Sequence, residues 1–141
     1  MIRVGSWKAH FQNSYTTYLL VIARILYPEL ARENSKSYGR ISVLTQARFN
    51  IKKLLIAPSD IFKPKPKVDG MVLEFSPIKK YNNIDINKLE TILRKAFSLR
   101  RKKIKSSLKD YKNILESNNF DLNHRAENIS VEDYCRLSNL I

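Results

Sequence analysis

The stretch IKKLLIAPSDIFKPKPKVDGMVLEF, residues 51–75, holds two apolar runs on either side of a basic, proline-bearing segment. Residues 51–57 form a short apolar run that stops at Pro58. Residues 68–75 alternate, with Met71, Leu73 and Phe75 on one face and Val68, Gly70 and Val72 on the other. A period of two is that of a half-buried strand, so two strands are expected. Their connection is too long for a tight hairpin turn and reads as a functional loop. Pro64 and Pro66 fix φ and remove two backbone donors, which predicts an extended course for residues 62–67. Phe62 would then stand beside Lys63, Lys65 and Lys67, and a ring flanked by cations suits an unstacked base and its phosphates. The plainer alternative tucks Phe62 under the sheet edge and leaves the lysines solvated, and spacing alone favours it.

Upstream, residues 15–27 lack Gly and Pro and are apolar on nearly all sides, which predicts a helix ending before Pro28, with a strand as the fallback. After the polar segment ARENSKS, residues 40–49 predict a second helix. Two strands alone are marginal in water, so these apolar faces ask for a larger sheet and a missing piece upstream is expected. Beyond Pro77 the pattern turns helical. Asn87 with Glu90 three residues on is a capping signature, and Leu89, Ile92, Leu93, Ala96 and Phe97 make an apolar face. Ile104, Leu108, Ile114 and Leu115 continue helical spacing, and Ser130 with Asp133 opens a last helix, SVEDYCRLSNLI.

The 141 residues suffice for one domain, and 43% hydrophobic content is enough for a core. Lys and Arg outnumber Asp and Glu by 26 to 13, so the field of the whole molecule attracts polyanions. Nucleic acid is the first partner to consider and an anionic membrane surface the second. The charge is concentrated: no acidic residue lies between Glu90 and Asp110, where Arg94, Lys95, Arg100, Arg101, Lys102, Lys103, Lys105 and Lys109 all occur. Were RKAFSLRRKKIKSSLKDY helical, positions 97, 104 and 108 would face inward and the cations would form a phosphate-binding ridge.

The single cysteine, Cys135, excludes an internal disulfide and suits a reducing, cytoplasmic setting. Its thiol is expected to be buried and inert. Residues 18–27 are too short for a membrane span and carry Arg24. Arg3, Lys8 and Arg24, with no acid among the first 28 residues, loosely suggest a presequence, but no amphipathic arginine stripe supports one. His10 and His124 have no partner at metal-ligand spacing, so no metal is expected. Asp69 could orient the loop or be a paired structural carboxylate. With Gly5, Gly39 and Gly70 as the only glycines, no Gly-rich phosphate loop can be drawn.

Four blocks stand in order: SYGRISVLTQARFNIKKLL, APSDIFKPKPKVDGMVLEF, AFSLRRKKIKSSL and RAENISVEDYCRL. Together they resemble the C-terminal half of the KsgA-type ribosomal RNA adenine dimethyltransferases, from about Ala31 onward. The resemblance implies an α/β fold: the C-terminal part of a Rossmann-like methyltransferase sheet, helices plus its last two strands, followed by a small all-α domain. Residues 1–30 would be an unmatched segment with an apolar helix, 31–78 the truncated end of the catalytic domain, and 79–141 a basic RNA-binding domain. It also implies N6,N6-dimethylation of two adjacent adenines in the 3′-terminal hairpin loop of small-subunit rRNA. S-adenosylmethionine would be the methyl donor, the pre-ribosomal small subunit the partner, and the protein a monomer.

By the same resemblance Phe62 packs against a flipped target base, Arg100, Arg101, Lys102 and Lys103 match a basic helical-domain motif, and Tyr38, Gly39 and Arg40 match a Y-G-R turn before a helix. Lys63, Lys65, Lys67, Arg94 and Lys105 complete the expected RNA contacts. The family's V-D-S becomes Val68-Asp69-Gly70. A Gly-rich donor loop, an acidic residue for the donor ribose and an Asn-Leu-Pro-Tyr-type motif have no counterpart, and only Phe11-Gln12 leaves a faint trace of the family upstream. Methyl transfer needs donor and amine held in line, so the chain alone is expected to be inactive, a C-terminal fragment without a donor site. Alternatives are a non-catalytic RNA-binding or ribosome-assembly factor, a relative of the resistance-type methyltransferases acting on large-subunit rRNA, and a DNA-binding helical module.

Overall fold

A computed structural model describes residues 18–23, 31–65, 67, 69–81 and 83–141. The presequence-like features of the first residues, Phe11-Gln12, His10, the two ends of the 15–27 segment, Pro66 and Val68 lie outside the described residues.

Both strands expected from residues 51–75 form, and a third joins them. β1 (Tyr18–Ala23), β2 (Phe49–Ala57) and β3 (Gly70–Pro77) make an antiparallel sheet in the order β1–β3–β2. β3 is the central strand because it is the one whose alternation carries a core face: Met71, Leu73 and Phe75 are buried and cluster with Phe49. Phe49 meets Phe75 edge to face, with centroids 6.0 Å apart, the arrangement favoured by the ring quadrupoles. β2 pairs with β3 from Phe49↔Pro77 to Ala57↔Gly70, and the register slips between Lys53 and Leu55, leaving Leu54 as the extra residue of a bulge. On the other side β1 pairs from Tyr18↔Phe75 to Ala23↔Gly70.

The helix expected over residues 15–27 is therefore corrected to a strand at Tyr18–Ala23. An uninterrupted apolar run has no period, so it fits a strand covered on both faces as well as a buried helix, and six residues is strand length. The same correction raises the expected two strands to three.

Helices make up the rest: α1 (Arg40–Gln46), α2 (Ile86–Ser98), α3 (Ile104–Ser107), α4 (Lys112–Ser117) and α5 (Val131–Leu140), with 3-10 turns at Ser59–Ile61, Lys109–Tyr111 and Ala126–Asn128. α2 buries Leu89, Ile92, Leu93 and Ala96, the predicted face, and Phe97 packs against the same cluster. Its cap is Asp85 rather than Asn87: the Asp85 backbone is extended, and its carboxylate accepts from the Asn87 and Lys88 amides at 2.9 and 3.3 Å. A carboxylate also meets the positive end of the helix dipole, which the Asn87 amide cannot do. α5 begins as expected, with Ser130 Oγ accepting from the Asp133 amide at 3.0 Å.

The long basic helix expected through residues 94–111 is broken. α2 ends at Ser98, and Lys103 forms an isolated antiparallel bridge with Arg125, after which the Ile104 amide donates to the His124 carbonyl at 2.8 Å. Ile104 and Leu108 still point inward, as their spacing predicts.

Two tyrosines bolt the helical cluster. Tyr38 Oη donates to the Ile129 carbonyl at 2.9 Å and Tyr134 Oη to the Ala126 carbonyl at 2.8 Å, with Phe97 packed between the two rings. Tyr38, Val43 and Ala47 share this core with Leu89, Leu93 and Leu137. The Y-G-R turn and α1 are thus packed into the C-terminal helices, while Ala47 and Arg48 lead directly into β2.

Candidate RNA-binding surface

The loop between β2 and β3 is anchored at both ends. Its first turn, Ser59–Ile61, is capped from the far end of the loop, where Asp69 Oδ1 accepts from the Ser59 amide at 3.0 Å. Of the two roles open for Asp69, orienting the loop is the one the geometry shows. Phe62 follows the turn and is half-buried. A Cβ added at Gly70 would lie 3.5 Å from Phe62 Cζ and 3.5 Å from Ala57 Cβ, so the ring rests over the start of β3. Those are ordinary van der Waals distances, so a Cβ at position 70 would be accommodated.

Phe62 therefore lies partly against the sheet, as the plainer reading has it, with part of the ring left to solvent. Lys63, Lys65 and Lys67 are exposed around it. Lys65 pairs with Asp60 at 2.7 Å, a contact between two exposed groups that contributes little, while Lys63 and Lys67 have no partner among the described residues.

The basic stretch divides into two kinds of residue. Arg100, expected on the RNA side, donates through Nε to Glu127 Oε2 at 2.9 Å and through Nη2 to the carbonyls of Lys36 and Ser35 at 2.6 and 3.4 Å. Glu127 in turn accepts through its backbone carbonyl from the Asn34 amide at 2.8 Å. Arg100 is a latch that fastens residues 32–38 to the Ala126–Asn128 turn. Arg94 lies 3.8 Å from Glu90, and Lys103 Nζ donates to Asn123 Oδ1 at 2.9 Å. Arg101, Lys102 and Lys105 are exposed and hold neither an ion pair nor a side-chain hydrogen bond among the described residues.

This division is testable. Arg100→Ala removes a charge-assisted cluster whose members are partly solvated, so it should lower stability by about 1–2 kcal/mol. Arg101→Ala should leave the thermal midpoint unchanged and reduce the salt slope of RNA binding by about one. Melting curves and salt titrations of both variants separate the roles.

Other candidates find structural places. Cys135 is buried, and burial, reinforced by the Glu132 carboxylate, pushes its thiol up to about 12. Burial first, then Glu33, likewise holds the Tyr38 hydroxyl above its ordinary range. For Cys135 the folded value exceeds the unfolded one, so its contribution to stability is present below about pH 9 and is lost as pH rises from about 9 toward 12. A thiol reagent at pH 8 should accordingly react slowly with the native protein and rapidly once urea is added. His124 is exposed, 3.4 Å from Asp121. Among the described residues no cluster of three or more His, Cys, Asp or Glu has the disposition of a metal site, and no helix is long and apolar enough to cross a membrane.

A cleft of about 390 Å³ opens in the helical unit, lined by Glu33, Asn34, Asp121, Asn128, Asp133 and Arg136 among others. None of its lining residues belongs to the Phe62 loop, so a donor held there would not be presented to a base at that ring. Lys52 and Lys53, which no sequence pattern singles out, are exposed on β2, and the Glu127 partner of Arg100 has no local signal beyond its place in RAEN.

The family model for ribosomal RNA adenine dimethylase matches residues 10–141. The chain belongs to that family. The dimethylase pattern reaches well upstream of Ala31, which corrects the expectation of an unmatched segment over residues 1–30: only the first nine lie outside it.

Among curated relatives, the ribosomal RNA small subunit methyltransferase A of Wigglesworthia glossinidia brevipalpis is 42% identical over 114 residues, covering 78% of this chain and 44% of that protein. The one from Ehrlichia chaffeensis is 35% identical over 135 residues, covering 92% and 51%. The chain spans about half the length of the curated relatives it matches. A dimethyladenosine transferase structure from Plasmodium falciparum superposes with a TM-score of 0.71 at 18% identity, over 86% of this chain and 55% of that one. The 23S rRNA methyltransferase ErmE superposes with a TM-score of 0.56 at 20% identity. These likenesses are of fold: the chain is the C-terminal part of a Rossmann-like methyltransferase sheet with a helical unit appended.

Proposed function

We propose that this chain forms the target-side part of a small-subunit rRNA adenine N6,N6-dimethyltransferase, using Phe62 against the base and the unpaired cations of the loop and of residues 101–105 on the phosphates. The carrying observation is the anchored loop, which sets a half-exposed ring at the start of β3 beside the unpartnered Lys63 and Lys67. The small-subunit assignment is supported by relatives at 35–42% identity named for that subunit, whereas the large-subunit enzyme shares fold at 20% identity. The pre-ribosomal small subunit in the cytoplasm is the partner and setting in this reading. S-adenosylmethionine belongs to the reaction in this reading, and no step is assigned to it.

The test uses the purified chain, folded by circular dichroism, with the 3′-terminal rRNA hairpin and labelled S-adenosylmethionine. The expected result is hairpin binding with no donor binding and no label transferred. Donor binding in the micromolar range would show a complete site in this chain, and a folded chain indifferent to the hairpin would remove the RNA-side role.

A further inference from the structure

Two neighbouring apolar side chains on the loop between β2 and β3 are placed differently. Phe62 has an extended backbone, at φ −101° and ψ 143°, and its ring lies over the start of β3. Ile61, the last residue of the Ser59–Ile61 turn, is 67% exposed. No other large hydrophobic among the described residues is as exposed, and Leu55 follows at 52%. The backbone beneath Ile61 is held at three points. The Ile61 amide donates to the Pro58 carbonyl and the Phe62 amide to the Ser59 carbonyl, each at 3.3 Å, and Asp69 caps the turn through the Ser59 amide at 3.0 Å. A β-branched side chain is stiff at χ1, so Ile61 is a fixed apolar projection on a fixed backbone. Its surroundings suit a polyanion: Asp60, the carboxylate next to it in the chain, is paired with Lys65 at 2.7 Å, while Lys63 and Lys67 have no partner among the described residues.

We propose that Ile61 is a wedge that packs on the RNA base next to the one taken by Phe62, a role that rests on the function proposed above and adds a residue to it. Taking a base out of its stack is costly and bares one face of its neighbour. An aliphatic side chain set against that face removes two apolar surfaces from water at once, and inserted Ile, Leu or Met side chains hold base steps open in this way in nucleic-acid complexes. A single exposed aliphatic residue needs no partner of its own. Ile61 is set apart by its rigid mounting, by the half-buried ring that follows it, and by the lysines on the same loop. Ile61 and Phe62 are adjacent in the chain as the two bases are in the strand, so one short turn reaches both. The wedge carries no charge, so it adds affinity and unstacking without adding to the salt dependence that the lysines set.

The experiment titrates this chain, Ile61→Ala and Ile61→Leu into the 3′-terminal rRNA hairpin carrying 2-aminopurine, an adenine isomer that brightens on unstacking, at one of the two adjacent adenines. The parent chain is expected to bind and brighten the probe. Ile61→Ala should bind about tenfold more weakly and lose most of the brightening, with its salt slope and thermal midpoint unchanged, since the lost group is uncharged and lies on the surface. Ile61→Leu should keep both affinity and brightening. With an abasic site at the other of the two adjacent positions, the parent should bind no better than Ile61→Ala, because the face the wedge covers is gone. Three results overturn the wedge: Ile61→Ala binding and brightening like the parent, a loss as large on the abasic hairpin, which would place the contact off the base, or a parent that binds without brightening. A folded parent that ignores the hairpin removes the proposed function and the wedge together, whereas binding untouched by Ile61→Ala removes the wedge alone, so the two failures are distinguishable.

Discussion

Hairpin RNA bound to this chain should be released by about 100- to 500-fold in affinity when monovalent salt rises about fourfold, from about 50 to about 200 mM. The figure follows from which cations are free. Lys63, Lys67, Arg101, Lys102 and Lys105 are exposed and unpartnered among the described residues, whereas Lys65 is held by Asp60 and Arg100 by Glu127. Each phosphate neutralised contributes about −0.7 to −0.9 to the logarithmic salt slope, so these five residues set a slope of about −3.5 to −4.5. Replacing Lys63 and Lys67 together by alanine should flatten it by nearly two, and replacing Lys65 should flatten it less than either. A slope unmoved by the Lys63 and Lys67 pair would mean that the loop does not touch RNA and that the helical stretch carries the interaction alone.

Why Arg100 differs from its neighbours could not be seen in the sequence. In a run of four cations every one has the same local claim on phosphate, and the distinguishing contact is with Glu127, 27 residues away along the chain. The break in the basic stretch was hidden for a related reason. Residues 78–141 contain no Gly or Pro, so nothing local stops a helix after Ser98; the backbone bonds that Ile104 and Lys105 make to His124 and Leu122 stop it instead. β1 was ambiguous because a run without polar positions has no phase to read. What was legible is what carries a period or a stiff backbone: the Met71, Leu73 and Phe75 face of β3, the Leu89 to Ala96 face of α2, the Ser130 cap and the anchored loop around Phe62. The loop around Phe62 could be drawn from the sequence, and the partition of its surrounding cations could not.

Leu93→Ala should cost about 2–5 kcal/mol, much of the total stability of a chain this size, and lower the thermal midpoint by roughly 6–15 °C. Leu93 is fully buried in the middle of α2, which packs on α1, α3 and α5, so the lost side chain leaves a cavity bounded by several elements that cannot all close in. The effect should reach the sheet. Tyr38, Val43 and Ala47 lie in the same core, the chain runs from Ala47 through Arg48 into β2, and the Ile78 amide donates to the Arg48 carbonyl at 2.9 Å, tying the exit of β3 to the start of β2. A single unfolding transition, moved as a whole, is therefore expected when far-ultraviolet dichroism and hydrogen exchange in β2 and β3 are followed together in urea. Ile41→Ala, at an exposed position on α1, should shift the same transition by no more than about 0.5 kcal/mol. If Leu93→Ala melted the helices while exchange in β2 and β3 stayed as slow as in the parent, the sheet would be an independent folding unit, and the core shared through Tyr38 and α1 would not be what holds the Phe62 loop in place.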